Sequence, residues 1–170
     1  ASTTNEKTAA QKIIKAGCSE INIEFENLPT IADGNYDWLL KKISEEKIKT
    51  VVTVGGDGTV NQVANAMRNS PVSIGIIPRG SGNGLAFAAR IPRDPNKAID
   101  IIFKRKSSLI DAYLVNNYFS CMLSGLGFDA QVAHDFARHP KRGLATYIKI
   151  TTANFFKARP YPFTIEIYSS

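Results

Sequence analysis

The segment whose residues most clearly point to chemistry is Val51 to Asn61, VVTVGGDGTVN, in which Gly55, Gly56 and Gly58 flank one carboxylate, Asp57. A β-branched run leads into the glycines, and a helical pattern leaves them. Glycine tolerates positive φ and lets a bulky anion approach the main chain. The first turn of the following helix adds unpaired N–H groups and the positive end of its dipole. Such a loop suits the phosphate tail of a nucleotide. A carboxylate in contact with phosphates is strongly repelled where water is scarce, so Asp57 needs a reason to be there. A Mg2+ ion bridging phosphate oxygens is one reason, and a hydroxyl that must lose its proton is another. The plainer alternative is an Asp57 that only accepts hydrogen bonds from the turn backbone. The loop is neither a Walker loop, which ends in Gly-Lys-Ser/Thr, nor the G-x-G-x-x-G dinucleotide fingerprint.

The elements that must hold this loop follow from periodicity. Residues 6–16 read as a short helix closed by Gly17, and INIEFE at 21–26 alternates like a strand. YDWLLKKISEE places Tyr36, Leu39, Leu40 and Ile43 on one helical face, and TVVTV at 50–54 reads as a buried strand. Beyond the glycines, Val60, Val63, Ala64 and Met67 keep the spacing of a helix packed on a sheet, and SIGII at 73–77 is a second short strand. PRGSGNG then breaks the pattern, LAFAAR suggests a helical turn, and Asp94-Pro95 marks the start of the helix NKAIDIIFKRK. This alternation predicts a three-layer α/β domain with a mainly parallel sheet over residues 1–106. From 107 the rhythm changes. SLIDAYLV and YFSCMLS around Asn116-Asn117 predict a hairpin that opens a β-rich second part, 107–170. Residues 143–156 form a helical pattern with Leu144, Tyr147, Ile148, Thr151 and Phe155 on one face, and PYPFTIEIY reads as a further strand.

With 170 residues, 44% of them hydrophobic and 21% charged, the chain has the balance of a packed domain. The net charge of +6 is uneven: residues 1–70 carry −1, 71–100 carry +2 and 101–170 carry +5. Such a surplus favours phosphate-bearing partners or an anionic membrane surface, or is simply a solvated basic face. Cys18 and Cys121 fit neither a disulfide framework nor a zinc site and read as reduced thiols. No apolar run reaches membrane-span length and the polar start ASTTNEK is no signal peptide, so a cytoplasmic protein is expected.

GGDGTVNQV at 55–63, GIIPRGSGNGLA at 75–86 and GLGFDAQV at 125–132 resemble, in order and spacing, the catalytic domain of the diacylglycerol kinase family. That family includes bacterial lipid kinases, sphingosine kinases and ceramide kinases. The resemblance implies a domain lacking its first strand, using ATP and Mg2+ to phosphorylate a lipid hydroxyl at a membrane surface. It implies that Gly55, Gly56, Asp57, Gly58, Thr59, Val60 and Asn61 form the phosphate loop. It further implies that Thr30 and Ser81 contact the nucleotide and that Asn83 orders the second loop or the nucleotide. Departures leave the acceptor open between diacylglycerol and a sphingoid base. Gln62 stands where the family often has glutamate, Ala66 where it has glycine, and Gly-Ser-Gly-Asn-Gly where bacterial diacylglycerol kinases have Gly-Thr-x-Asn-Asp. The family's early Asn-Pro-x-Ser-Gly and late Asp-Gly-Glu motifs do not occur, so an incomplete copy is expected.

Three rival readings remain. NAD kinases and phosphofructokinases share a related glycine-aspartate loop but are not expected to carry PRGSGNGLA, and a binding module would hold nucleotide or lipid without catalysis. Nucleic-acid binding, suggested by a pI of 9.4, lacks an aromatic and basic reading surface. His134 and His139 have no partners at metal-ligand spacing and read as surface or helix-end residues. Asp129 reads as a helix cap or a group near a lipid head, and Asp111, at the entry of the hairpin, is likewise weighed toward a structural role. Arg138, Lys141 and Arg142, with Phe155, Phe156 and Lys157, form either a solvated face or a contact for anionic lipid.

Overall fold

The computed structural model describes residues 4–31, 34–104, 106–141, 143–160 and 162–168. The chain divides into two compact units, Ala1–Leu123 and Ser124–Ser170.

The first unit contains α1 (Thr4–Glu20), α2 (Asp37–Glu46), β1 (Thr50–Gly55), α3 (Asp57–Met67), β2 (Ser73–Pro78), α4 (Gly84–Ala88) and α5 (Pro95–Phe103). It closes with β3 (Tyr113–Val115) and β4 (Tyr118–Ser120). Strands β1 and β2 pair in parallel, with Thr50 opposite Ser73 and Gly55 opposite Pro78. Successive side chains leave a strand on opposite faces. Val51 accordingly packs against Tyr36, Leu39, Ile43, Val63 and Met67 from α2, α3 and the residue preceding α2. Val52 and Val54 join Ile77, Ala98 and Ile99, backed by Ile13, Ile14 and Phe103. Helices therefore cover both faces of the pair, which is why valine and isoleucine dominate its strands. Val60, Val63, Ala64 and Met67 are all buried. The Asp94 carboxylate accepts from the N–H of Asn96 and Lys97 with Pro95 at the first helical position, so α5 starts where the sequence placed it.

Three expectations need correction. Gly17 does not end a helix. Helix α1 continues to Glu20, and a Cβ built on Gly17 would collide with the Phe103 ring, so this glycine allows α1 and α5 to pack closely. Residues 21–26 form no strand, because no neighbour among the described residues supplies a ladder; Ile21 and Phe25 are exposed, and Glu26 instead pairs with Lys42 of α2 at 2.6 Å. The stretch after residue 107 is less β-rich than its alternation suggested. Its described residues hold two three-residue strands and two helices of 11 and 12 residues. The antiparallel β3–β4 hairpin does form, turning at Asn116 and Asn117 with φ of 48° and 70°. A tight two-residue turn of this hand needs positive φ at both central positions, which asparagine tolerates.

The second unit contains α6 (Phe128–Arg138) and α7 (Leu144–Phe155). Phe136 meets Tyr147 edge to face with centroids 5.6 Å apart, and the Asn154 amide donates to Asp135 Oδ2 at 2.9 Å. Residues 162–168 keep the alternation of Phe163, Ile165 and Ile167 but form no ladder with any described residue. The Leu144 side chain and all of Arg142 lie outside the described residues.

Candidate functional site

Parallel pairing in register brings the carboxyl ends of β1 and β2 to the same level, where ligands bind in open α/β sheets. The Arg79 N–H donates to the Gly55 carbonyl at 2.8 Å, extending the pairing one step beyond β2. The two glycine segments then touch. A Cβ on Gly56 would stand 2.9 Å from Gly80 Cα, and one on Gly80 would stand 2.6 Å from Gly56 Cα. Backbone opposes backbone there, so neither position has room for a side chain. Beneath this contact Val60 and Ala86 pack with Ile76, tying α3 and α4 to β2.

The loop glycines serve closeness rather than unusual backbone angles. Gly55, Gly56 and Gly58 all avoid positive φ, contrary to one of the two uses expected of them. Gly55 is crowded by the Thr59 side chain, with a Cβ there meeting Thr59 Cβ at 3.0 Å. Gly58 differs, since a Cβ on it would meet no described atom within 4 Å apart from its chain neighbours and its own helix backbone. It lies in the first turn of α3, where the N–H groups of Asp57, Gly58 and Thr59 precede the first intrahelical bond, from Val60 N–H to the Gly56 carbonyl. Open space, free donors and the positive helix end coincide at Gly58.

Asp57 is the first residue of α3, and its carboxylate lies against the second glycine segment. Oδ2 would be 3.0 Å from a Cβ on Gly82, and Oδ1 3.9 Å from one on Gly84. Among the described residues the carboxylate accepts no hydrogen bond and joins no ion pair, so the turn-backbone alternative for Asp57 does not hold. Asn83 adopts left-handed backbone (φ 59°) and is buried. Its Oδ1 accepts from Gly80 N–H and its Nδ2 donates to the Gly80 carbonyl, both at 2.7 Å. That amide orders the loop, using one N–H donor and one oxygen lone pair on Gly80. Ser81 is exposed at the tip, its carbonyl held by the Arg93 guanidinium at 2.9 Å.

Other expected residues play different parts. The Val60 side chain is core and its N–H is bonded within the helix, so it supports the loop from below. The Asn61 amide donates to the Phe119 carbonyl at 3.0 Å and accepts from the Cys121 N–H at 3.1 Å, joining α3 to the hairpin. Thr30 is exposed on a segment anchored by Leu28, by Ile31 and by Ile31 N–H donating to the Tyr36 hydroxyl at 3.2 Å. No described hydrogen bond connects Thr30 to either glycine loop. Asp129 is the second residue of α6, whose cap position is Gly127, and it makes no capping bond. His134 contacts its neighbour Asp135, and His139 ends α6. Among the described residues no group of three or more His, Cys, Asp or Glu side chains could hold a metal unaided.

Two residues at the site escaped the sequence reading. Arg79 follows β2 directly, and its Nε is buried without a partner among the described residues; its signal was a cation placed at the end of a strand that stops level with Gly55. Cys121 is buried and bonded to Asn61, one helical turn along α3 from Asp57. Burial pushes its thiol up, and the Asp57 charge pushes it in the same direction. No sequence signal pointed to it, because 64 positions separate it from Asp57.

Sequence comparison decides the family. The diacylglycerol kinase catalytic domain matches residues 1–115. The chain belongs to the diacylglycerol kinase catalytic domain family. An uncharacterized protein of Synechocystis sp. is 35% identical over 94 residues, covering 55% of this chain and 22% of that protein. A probable lipid kinase, YegS-like, of Pectobacterium atrosepticum is 33% identical over 120 residues, covering 64% of this chain and 40% of the relative. A diacylglycerol kinase of Staphylococcus carnosus is 31% identical over 97 residues, covering 56% and 32%. The chain thus spans well under half the length of these relatives. The family match contains both glycine segments, β1 through α5, and Asp57. No helix among the described residues is long and apolar enough to cross a membrane.

Proposed function

We propose that the paired glycine segments bind Mg-ATP and that the protein is a lipid kinase, transferring the γ-phosphoryl group to the hydroxyl of diacylglycerol or a sphingoid base. The observation that carries this reading is the open space at Gly58, bordered by N–H groups of α3 and by a carboxylate that have no hydrogen-bond partner among the described residues. The Asp57, Gly58 and Thr59 N–H groups would receive phosphate oxygens, and Asp57 would hold the metal. Mg2+ is commonly bound by one or two carboxylates together with substrate phosphates, and Asp57 places one carboxylate beside the loop. When bound, the metal neutralises charge that develops on the phosphate oxygens. Thr30 and Ser81 would hold the nucleotide, while Asn83 keeps the Gly80 turn in shape for it. In the transfer, the bond from the γ-phosphorus to the bridging oxygen breaks and a bond to the lipid oxygen forms. The hydroxyl proton passes to a base, and ADP leaves.

Membrane contact belongs to the same proposal. Phe155 and Phe156 are exposed at the end of α7 and are followed by Lys157 and Arg159, a pairing of apolar and cationic groups that suits an anionic lipid surface. The test is phosphate transfer from labelled ATP, with Mg2+, to diacylglycerol, sphingosine, NAD and sugar phosphates, the lipids in mixed micelles. Transfer to a lipid alone supports the proposal. Transfer to NAD or a sugar phosphate favours the small-molecule kinases with the related loop. Nucleotide binding without transfer would make this chain a binding module on its own.

A further inference from the structure

Asparagine is a poor residue for a helix interior, yet Asn61 occupies the second turn of α3. Its amide forms a matched pair of hydrogen bonds with one strand: Nδ2 to the Phe119 carbonyl at 3.0 Å, and Oδ1 from the Cys121 N–H at 3.1 Å. Residues i and i+2 of a strand turn their C=O and N–H toward the same edge, so a primary amide can stand in for one residue of a neighbouring strand. Strand β4 ends at Ser120, and Cys121 lies beyond the β3–β4 pairing. The Cys121 thiol also faces Asn61 Oδ1 at 3.4 Å. Asp57 precedes Asn61 by four residues on α3 and therefore shares its helix face. The Asp57 charge acting on the Cys121 thiol is consistent with that proximity.

We infer that Asn61 is a positioning residue: its amide serves as a surrogate strand that fixes the end of the hairpin, with Cys121, as a wall beside Asp57, and it does not itself bind phosphate. The inference rests on the functional reading above for its consequence, and on the two amide hydrogen bonds for its geometry. With the strand end fixed there, the partly buried Asp57 carboxylate is held toward Gly82 and Gly84.

The experiment uses Asn61→Ala in a Cys18→Ala background, so that Cys121 is the only thiol. Labelling of Cys121 by a thiol reagent under native conditions is expected to rise about tenfold, as loss of two net hydrogen bonds would allow. Mg-ATP affinity is expected to stay unchanged while the rate of phosphate transfer falls about tenfold. A lower Mg-ATP affinity with unchanged labelling would overturn the inference and make Asn61 a phosphate ligand. Should the variant not fold, amide exchange in the unaltered chain decides. A slowly exchanging Cys121 N–H supports the surrogate strand, and exchange at the rate of an open loop contradicts it. If the unaltered chain binds no nucleotide, the kinase reading fails, while labelling and exchange still judge the role of Asn61.

Discussion

Replacing Gly58 with alanine separates what the protein needs from what its ligand needs. Beyond its chain neighbours and its own helix backbone, a methyl group at this position meets no described atom within 4 Å, and the backbone is already helical. Glycine in a helix costs about 0.5–1 kcal/mol relative to alanine, largely through the unfolded state, so the variant gains stability of that order. For a chain of this size 1 kcal/mol raises Tm by about 2–4 °C, which predicts an increase of about 1–4 °C without nucleotide. The same methyl occupies the space proposed for a phosphate. Mg-ATP should bind at least about tenfold more weakly, a loss of about 1.4 kcal/mol. Thermal denaturation in the absence of ligand and calorimetric titration with Mg-ATP measure the two effects. A Gly58→Ala protein that is less stable would mean that protein atoms occupy the space. One that binds nucleotide as tightly as the unaltered chain would remove the phosphate from it.

Gly80→Ala should behave in the opposite way. Its Cβ would stand 2.6 Å from Gly56 Cα and 2.9 Å from Asn83 Oδ1, so the loops must part at a cost of about 1–3 kcal/mol, read as a lower urea midpoint. Ile77 is fully buried between the sheet and α5, and Ile77→Ala should cost about 2–5 kcal/mol in the same titration with the slope unchanged. The N–H groups of Lys97 and Asn96 hold the Asp94 carboxyl below the usual aspartate range, so the unfolded chain binds its proton more readily. Its contribution is present above the ordinary aspartate pKa and is lost as pH falls through the lowered folded value. Asp94→Asn keeps a cap without the charge, and its stability should fall less steeply with acid than that of the unaltered chain.

Much of the positioning apparatus was legible because it is local. The spacing of Val60, Val63, Ala64 and Met67 defines a buried helix face, and Asp94-Pro95 and Asn116-Asn117 carry their own backbone geometry. What was not legible depends on partners distant in sequence. Alternation at 21–26 describes a segment's two faces but cannot supply the neighbouring strand that would make it one. Gly17 resembled a helix stop until Phe103, far along the chain, explained it. At the site, the sequence identified Asp57 and the glycines by type, whereas only the structure distinguishes Gly56, crowded by Gly80, from Gly58, which faces open space. Asn61, expected in the phosphate loop, bonds the hairpin through its amide, and of the two readings of Asn83 its bonds to Gly80 are those of a residue that orders the loop.

The most direct test of the nucleotide site is an amide NMR titration of this chain with Mg-ATP, repeated on Asp57→Ala. The account predicts that the largest shifts fall on Gly56, Gly58 and Thr59 and on Gly80 to Gly82, and that the Asp57 variant binds more weakly at the same residues. Saturable shifts elsewhere on the chain, or none at millimolar nucleotide, would contradict it.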